Sequence, residues 1–129
     1  MHIPPGFTTV FPYIFATDAT TYLDFLRDGL VGEILGVERS PDGMVRNAHV
    51  RFADTTIMVS EAVPGIEASR ATFYLYVENA DAAMAQAVAA GGKQFSPLGD
   101  RPYQDRQGGV TDPSGNIWWL SQRLVAGPY

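Results

Sequence analysis

An α+β fold of two consecutive βαβββ modules is what this sequence predicts, and its clearest sign is an internal repeat. YIFATDA at 13–19 lies over YLYVENA at 74–80, an offset of 74 − 13 = 61 residues that pairs Tyr13 with Tyr74, Phe15 with Tyr76 and Asp18 with Asn79. Strand, cap and helix all align in one register, which unrelated strand–helix units need not do. Three short strand-like segments broken by turn signals follow each copy. A length of 129 residues suits a single domain, with module one over about 8–62 and module two over about 70–124.

The elements follow in order. Residues 10–16 (VFPYIFA) are aromatic and aliphatic and read as a strand. Asp18 is placed to cap a helix over 19–30, whose Tyr22, Leu23, Leu26 and Leu30 recur at helical spacing. Gly29 and Gly32 end it. Strands are expected over 33–39, 44–52 and 56–61, with SPDG at 40–43 as the first turn. The second module opens with TFYLYV at 72–77. Asn79 caps an alanine-rich helix over 80–90, which Gly91 and Gly92 stop. A short strand at 93–96, a loop at 99–106 (GDRPYQDR), GGVT at 108–111, the turn DPSG at 112–115 and a last strand at 116–124 complete it.

Composition excludes several functions. A net charge of −5 argues against a nucleic-acid partner, which calls for a basic face. The sequence has no cysteine, so disulfides, thiolate nucleophiles and sulfur-ligated zinc are out, and a cytoplasmic location is expected. No apolar run approaches the roughly 20 residues that cross a bilayer, so no membrane partner is expected. The first seven residues carry two prolines and lack the basic and apolar regions of a secretory signal.

The paired modules, the helix NADAAMAQAVAAGG (79–92) and the stretch DRQGGVTDPSGNIWWL (105–120) resemble the vicinal oxygen chelate superfamily. This group includes glyoxalase I, extradiol dioxygenases, fosfomycin-resistance enzymes and bleomycin-resistance proteins. The last stretch is especially similar to the bleomycin-resistance and PhnB-like branches. The resemblance implies that each module curls its sheet into half of a cup, and that the cup is shared between the chains of a domain-swapped homodimer. It also implies, for the metal enzymes, one ligand near the first strand and one on the fourth strand of each module.

Period-2 alternation selects the residues facing that cup. On the first strand Ile14 and Ala16 suit the helix-covered side, which leaves Phe11, Tyr13 and Phe15. Met58 and Ser60 remain on the fourth strand, Thr72, Tyr74 and Tyr76 on the first strand of module two, and Ile117, Trp119 and Ser121 on the last. Carried over residue by residue, the family's metal positions fall on Phe11, Met58, Thr72 and Trp119, and none is His, Asp or Glu. A slip of register would offer Ser60 or Glu61, at most one carboxylate. A divalent ion needs several convergent oxygen or nitrogen donors, so no metal and no cofactor is expected. His49 and Arg51 alternate with Ala48, Val50 and Phe52 and point either to the cup or to solvent. Tyr103 sits in the 99–106 loop, which is either a cover for a ligand or an ordinary connector.

No nucleophile elbow, phosphate loop or dinucleotide fingerprint is present. What remains is aromatic. Phe11, Tyr13, Phe15, Tyr74, Tyr76 and Trp119 either fill the cup as core or stack a planar ligand, each contact giving on the order of 1 kcal/mol beyond burial. Bleomycin-resistance proteins hold an antibiotic without destroying it. The resemblance therefore implies sequestration of a small-molecule or peptide natural product. A metal-independent enzyme using His49, Arg51, Tyr74 or Glu61 is the alternative.

Overall fold

In the computed structural model, which describes residues 2–129, ten elements follow the expected order. They are β1 (Tyr13–Ala16), α1 (Ala19–Asp28), β2 (Glu33–Arg39), β3 (Val45–Phe52), β4 (Thr55–Glu61), β5 (Thr72–Tyr76), α2 (Ala80–Ala89), β6 (Lys93–Asp100), β7 (Asp105–Thr111) and β8 (Ile117–Arg123). Two four-stranded mixed sheets result, ordered β1-β4-β3-β2 and β5-β8-β7-β6. The fold is α+β. Residues up to Ser69 form one compact unit, except for Asp28–Leu30, which belong with Arg70–Tyr129 in the second.

The repeat extends to the pairing of strands. β1 runs parallel to β4 with Tyr13 beside Met58, and β5 runs parallel to β8 with Tyr74 beside Trp119. Met58 and Trp119 stand at the same offset of 61 as the tyrosines. In each unit the last strand therefore lies next to the first.

That adjacency also caps the helices. Asp18 accepts from Thr21 N (3.3 Å) and Thr21 Oγ1 (2.7 Å), while the Glu61 carboxylate at the end of β4 accepts from Asp18 N and Ala19 N, both at 2.9 Å. In the second unit Asn79 Oδ1 accepts from Ala82 N, and Gln122 Oε1 of β8 accepts from Ala80 N, each at 3.0 Å. Glu61 and Gln122 are again one repeat apart. These oxygens satisfy N–H groups that a helix start leaves without partners. At its other end α2 closes on Gly91, whose φ of 115° suits a residue without Cβ, with Gly92 N donating to Ala87 O (2.9 Å). α1 is followed by Val31 at φ 63°, a conformation that strains a β-branched side chain.

The cores are apolar. Ile14, Ala16, Phe25, Leu26, Val50 and Val59 are buried in the first unit, and Met84, Val110, Trp118 and Leu120 in the second. The DPSGN turn is part of this framework. Buried Asp112 accepts from Ser114 N and Asn116 N through Oδ1 and from the Trp118 indole through Oδ2 (2.8 Å).

Three expectations need correction. The first strand begins at Tyr13 rather than at residue 10, because Pro12 has no N–H to donate and Val10 is exposed. Helix α1 ends at Asp28, short of residue 30. The segment 99–106 is not a loop: β6 runs to Asp100 and β7 starts at Asp105, leaving only 101–104 as a turn. Polar residues with Gly and Pro read as a connector there, but pairing of Asp105 with Arg123 and Asp100 with Arg106 extends the ladder.

Candidate functional site

Each sheet has one face carrying aromatic side chains. In the first unit Tyr13 and Phe15, two residues apart on β1, stack at 4.6 Å with 14° between their planes. Ser60 Oγ donates to Arg46 O (2.5 Å), so the 2.8 Å contact between Ser60 and Tyr13 has the phenol as donor. Asn47 Nδ2 approaches the same phenol oxygen at 3.4 Å. His49 neighbours Met58 in the ladder, and its ring meets Phe7 edge-on at 5.1 Å. Phe7 in turn lies 4.9 Å from Phe11. Arg51 is paired with Glu33 at 2.8 Å, an exposed ion pair that contributes little.

The equivalent face of the second unit centres on a buried carboxylate. Period-2 alternation along β7 puts Asp105, Gln107 and Gly109 on this face, and all three are buried. Asp105 Oδ2 accepts from Tyr74 Oη (2.5 Å), Tyr129 Oη (2.7 Å) and Ser121 Oγ (2.9 Å), while Oδ1 accepts from Arg123 Nη1 (3.0 Å). Tyr129 spends its proton on Asp105, so its 2.5 Å contact with Tyr76 has Tyr76 as donor. Gln107 Nε2 reaches Ser121 Oγ (3.3 Å), and Tyr103 Oη donates to Gln107 Oε1 (2.6 Å). Tyr74, Tyr76, Tyr103 and Tyr129 thus join one network through their hydroxyls and keep much of their rings exposed. Trp119 lies one strand away, where Phe95 meets it at 5.2 Å and 70°. Phe95 lies across Gly109, where a Cβ would stand only 2.5 Å from the ring.

Burial alone would raise the Asp105 carboxyl. The hydrogen bonds from Tyr129, Tyr74, Arg123 and Ser121 outweigh it and hold the pKa down at about 2. Burial and the bond to Asp105 push the Tyr74 phenol up. The bonds to Asp105 and Tyr76 do the same for Tyr129. At neutral pH the centre is a fixed carboxylate among neutral phenols. A base this weak and this fully hydrogen-bonded is poorly matched to proton abstraction near pH 7, but it anchors hydrogen-bond donors well.

The predicted contacts therefore fall into groups. Tyr13, Phe15, Met58 and His49 are neighbours across the first sheet, with Phe11 joined to His49 through Phe7. Tyr74, Tyr76 and Tyr103 share the Asp105 network, and Trp119 has Phe95. Thr72 is exposed at the start of β5, and Arg51 is engaged by Glu33. Sequence reasoning passed over Asp105, Gln107, Arg123, Tyr129, Phe7 and Phe95. Alternation would have found the first two had the strand been extended back through DRQ.

The four residues onto which the resemblance carries the family's metal positions offer a benzyl ring at Phe11, a thioether at Met58, a hydroxyl at Thr72 and an indole at Trp119. No three His, Cys, Asp or Glu side chains converge among the described residues. This donor set does not fit a divalent ion. A cavity of about 660 Å³ opens elsewhere, between α1 and β2, lined by Leu23, Arg27, Val37, Arg39 and neighbours. It contains no aromatic side chain, so the sheet faces are the better candidate for recognising a ring.

Residues 8–120 match the family model of the Glyoxalase/Bleomycin resistance protein/Dioxygenase superfamily. The chain belongs to this superfamily. An uncharacterised protein of Mycobacterium bovis is 30% identical over 122 residues, covering 86% of this chain and 80% of its own length. Among solved structures, TioX from Micromonospora sp. ML1 superposes with a TM-score of 0.74 at 22% identity, over 92% of this chain and 99% of its own. TnmS3, an antibiotic binding protein from Streptomyces sp. CB03234, gives 0.72 at 22% identity, over 95% and 98%. For this superfamily member the two structural likenesses establish the fold.

Proposed function

We propose that this protein binds an antibiotic or related natural product through planar aromatic groups and holds it chemically unchanged, without a metal. The observation that carries this reading is the set of partly exposed aromatic pairs on both sheets: Tyr13 with Phe15, Tyr74 with Tyr76, and Trp119 with Phe95. Exposed aromatic clusters are uncommon on surfaces without a binding role. The likeness to TnmS3, which binds an antibiotic, supports the same reading.

Phe11, His49, Met58, Thr72 and Tyr103 belong to the proposed contact surface, with Arg51 at its edge. The modules span about 8–62 and 70–124, and the working form is a domain-swapped homodimer in the cytoplasm. Exposed Leu35 and Val37 on β2 support a partner-covered surface, and no helix among the described residues is long and apolar enough to cross a membrane.

Calorimetric titration against a panel of aromatic antibiotics tests the proposal, with mass spectrometry of the recovered ligand. Tight binding, unchanged ligand and loss of affinity in the Trp119→Ala/Tyr74→Ala double variant are expected. Binding that survives the double variant, or ligand recovered altered, refutes it.

A further inference from the structure

The segment after β8 returns to the face described above, and its last residue engages the centre of the network. Arg123 holds it there. Nη2 donates to Gly127 O (3.1 Å) and Pro128 O (3.0 Å), and the guanidinium lies 4.3 Å from the centre of the Tyr129 ring. Tyr129 is 70% exposed as a residue, so burial contributes little to holding it. Its attachments are the hydroxyl, bonded to Asp105 and Tyr76, the cation above the ring, and an edge-on contact with the Tyr103 ring at 6.4 Å. Those attachments are available to any phenol.

We infer that Asp105, Tyr76 and Arg123 form a subsite for a hydroxyl-bearing aromatic ring of the ligand, and that Tyr129 occupies this subsite as a displaceable internal competitor. The inference rests on the binding function proposed above and names the chemistry of its ligand. A neutral phenol fits better than a cation. Arg123 already compensates the charge of Asp105 on Oδ1, and a cationic ligand would be set against that guanidinium. An electron-rich ring beneath a guanidinium is attracted to it, and its hydroxyl can donate to the carboxylate while accepting from Tyr76. Displacing Tyr129 leaves Asp105 with Tyr74, Ser121 and Arg123, so the carboxylate is not left unpaired.

The probe is p-cresol, with toluene as the control lacking the hydroxyl, titrated into the full chain and into Tyr129→Ala and Tyr129→Phe while two-dimensional NMR is recorded. Shifts at Tyr74, Tyr76, Ser121 and Arg123 report occupancy. If Tyr129 fills the subsite nine-tenths of the time, its removal tightens p-cresol binding on the order of tenfold, and toluene binds several-fold more weakly in every form. Tyr129→Phe, which keeps the ring, gives a gain in the same direction and decides the matter if the alanine variant does not fold. Unchanged or weakened p-cresol binding in the variants, or toluene binding as well as p-cresol, overturns the inference. Failure of the antibiotic panel with the cresol result intact would instead refute sequestration and leave the subsite standing.

Discussion

Replacing Asp105 with asparagine keeps the shape of the side chain and removes its charge. The amide oxygen has to face Arg123, which cannot accept a hydrogen bond, so the NH2 group turns toward Tyr74, Ser121 and Tyr129. These hydroxyls can rotate to accept, and no atom need be left wholly unpaired. What is lost is the charge assistance of the bonds at a buried position, about 2–3 kcal/mol at pH 7. For a chain of this size that corresponds to a melting temperature lower by roughly 6–12 °C. The pH dependence separates this cause from a simple packing defect. The folded carboxyl has its pKa near 2, below the unfolded value of about 3.9. The folded state therefore binds this proton less readily, and the stabilisation is complete above about pH 5 and is lost as pH falls through 4 toward 2. Other carboxylates titrate alike in both proteins, so the difference between them isolates Asp105. Thermal melts by circular dichroism at steps from pH 7 to pH 2.5 measure it. An Asp105→Asn protein as stable as the parent at pH 7, or a gap that does not narrow in acid, refutes the reasoning.

Other outcomes follow from local geometry. Val31→Gly relieves a left-handed β-branched residue and raises stability by about 1 kcal/mol in urea unfolding, the gain being trimmed by the freer unfolded chain. Gly91→Ala, at φ 115°, costs about 1 kcal/mol or more by the same measurement. Glu61→Ala and Gln122→Ala each cost about 1 kcal/mol, and faster amide exchange at Asp18 and Ala19 in the first, and at Ala80 in the second, locates the loss. Titration with Zn²⁺, Mn²⁺ or Ni²⁺ gives no saturable rise in melting temperature, because no three His, Cys, Asp or Glu side chains converge among the described residues; a saturating rise would contradict that reasoning.

How far the sequence could be read depended on where the determining interactions lie. The two modules were legible because a strand, a cap and a helix leave local marks, and the 61-residue offset repeated them. The faces were legible because period 2 sets Tyr13, Phe15, Tyr74 and Trp119 opposite Ile14, Ala16, Leu75 and Trp118. The Asp105 network was not. Asp, Gln and Ser are surface residues by composition, and only partners from β5, β8 and the segment beyond make them a buried centre. The same partners turn GDRPYQDR, a connector by every local signal, into the end of one strand and the start of the next. Phe95 was missed for a related reason, since only the bare backbone of Gly109 opposite it makes room for the ring.

Glu61 and Gln122 carry a consequence for how the chain acquires its structure. Each helix is fastened at its start by a residue that comes about forty positions later, on the strand that also pairs with the first. A nascent module lacking that last strand has a helix start held only by its local cap, Asp18 or Asn79, and a first strand with an unfilled edge. Neither module can therefore mature stepwise from its amino end. Each closes late, through contacts of large sequence separation, a pattern associated with slow folding. During synthesis the first module has to wait until residue 61 has emerged from the ribosome. The second starts its own wait only after that.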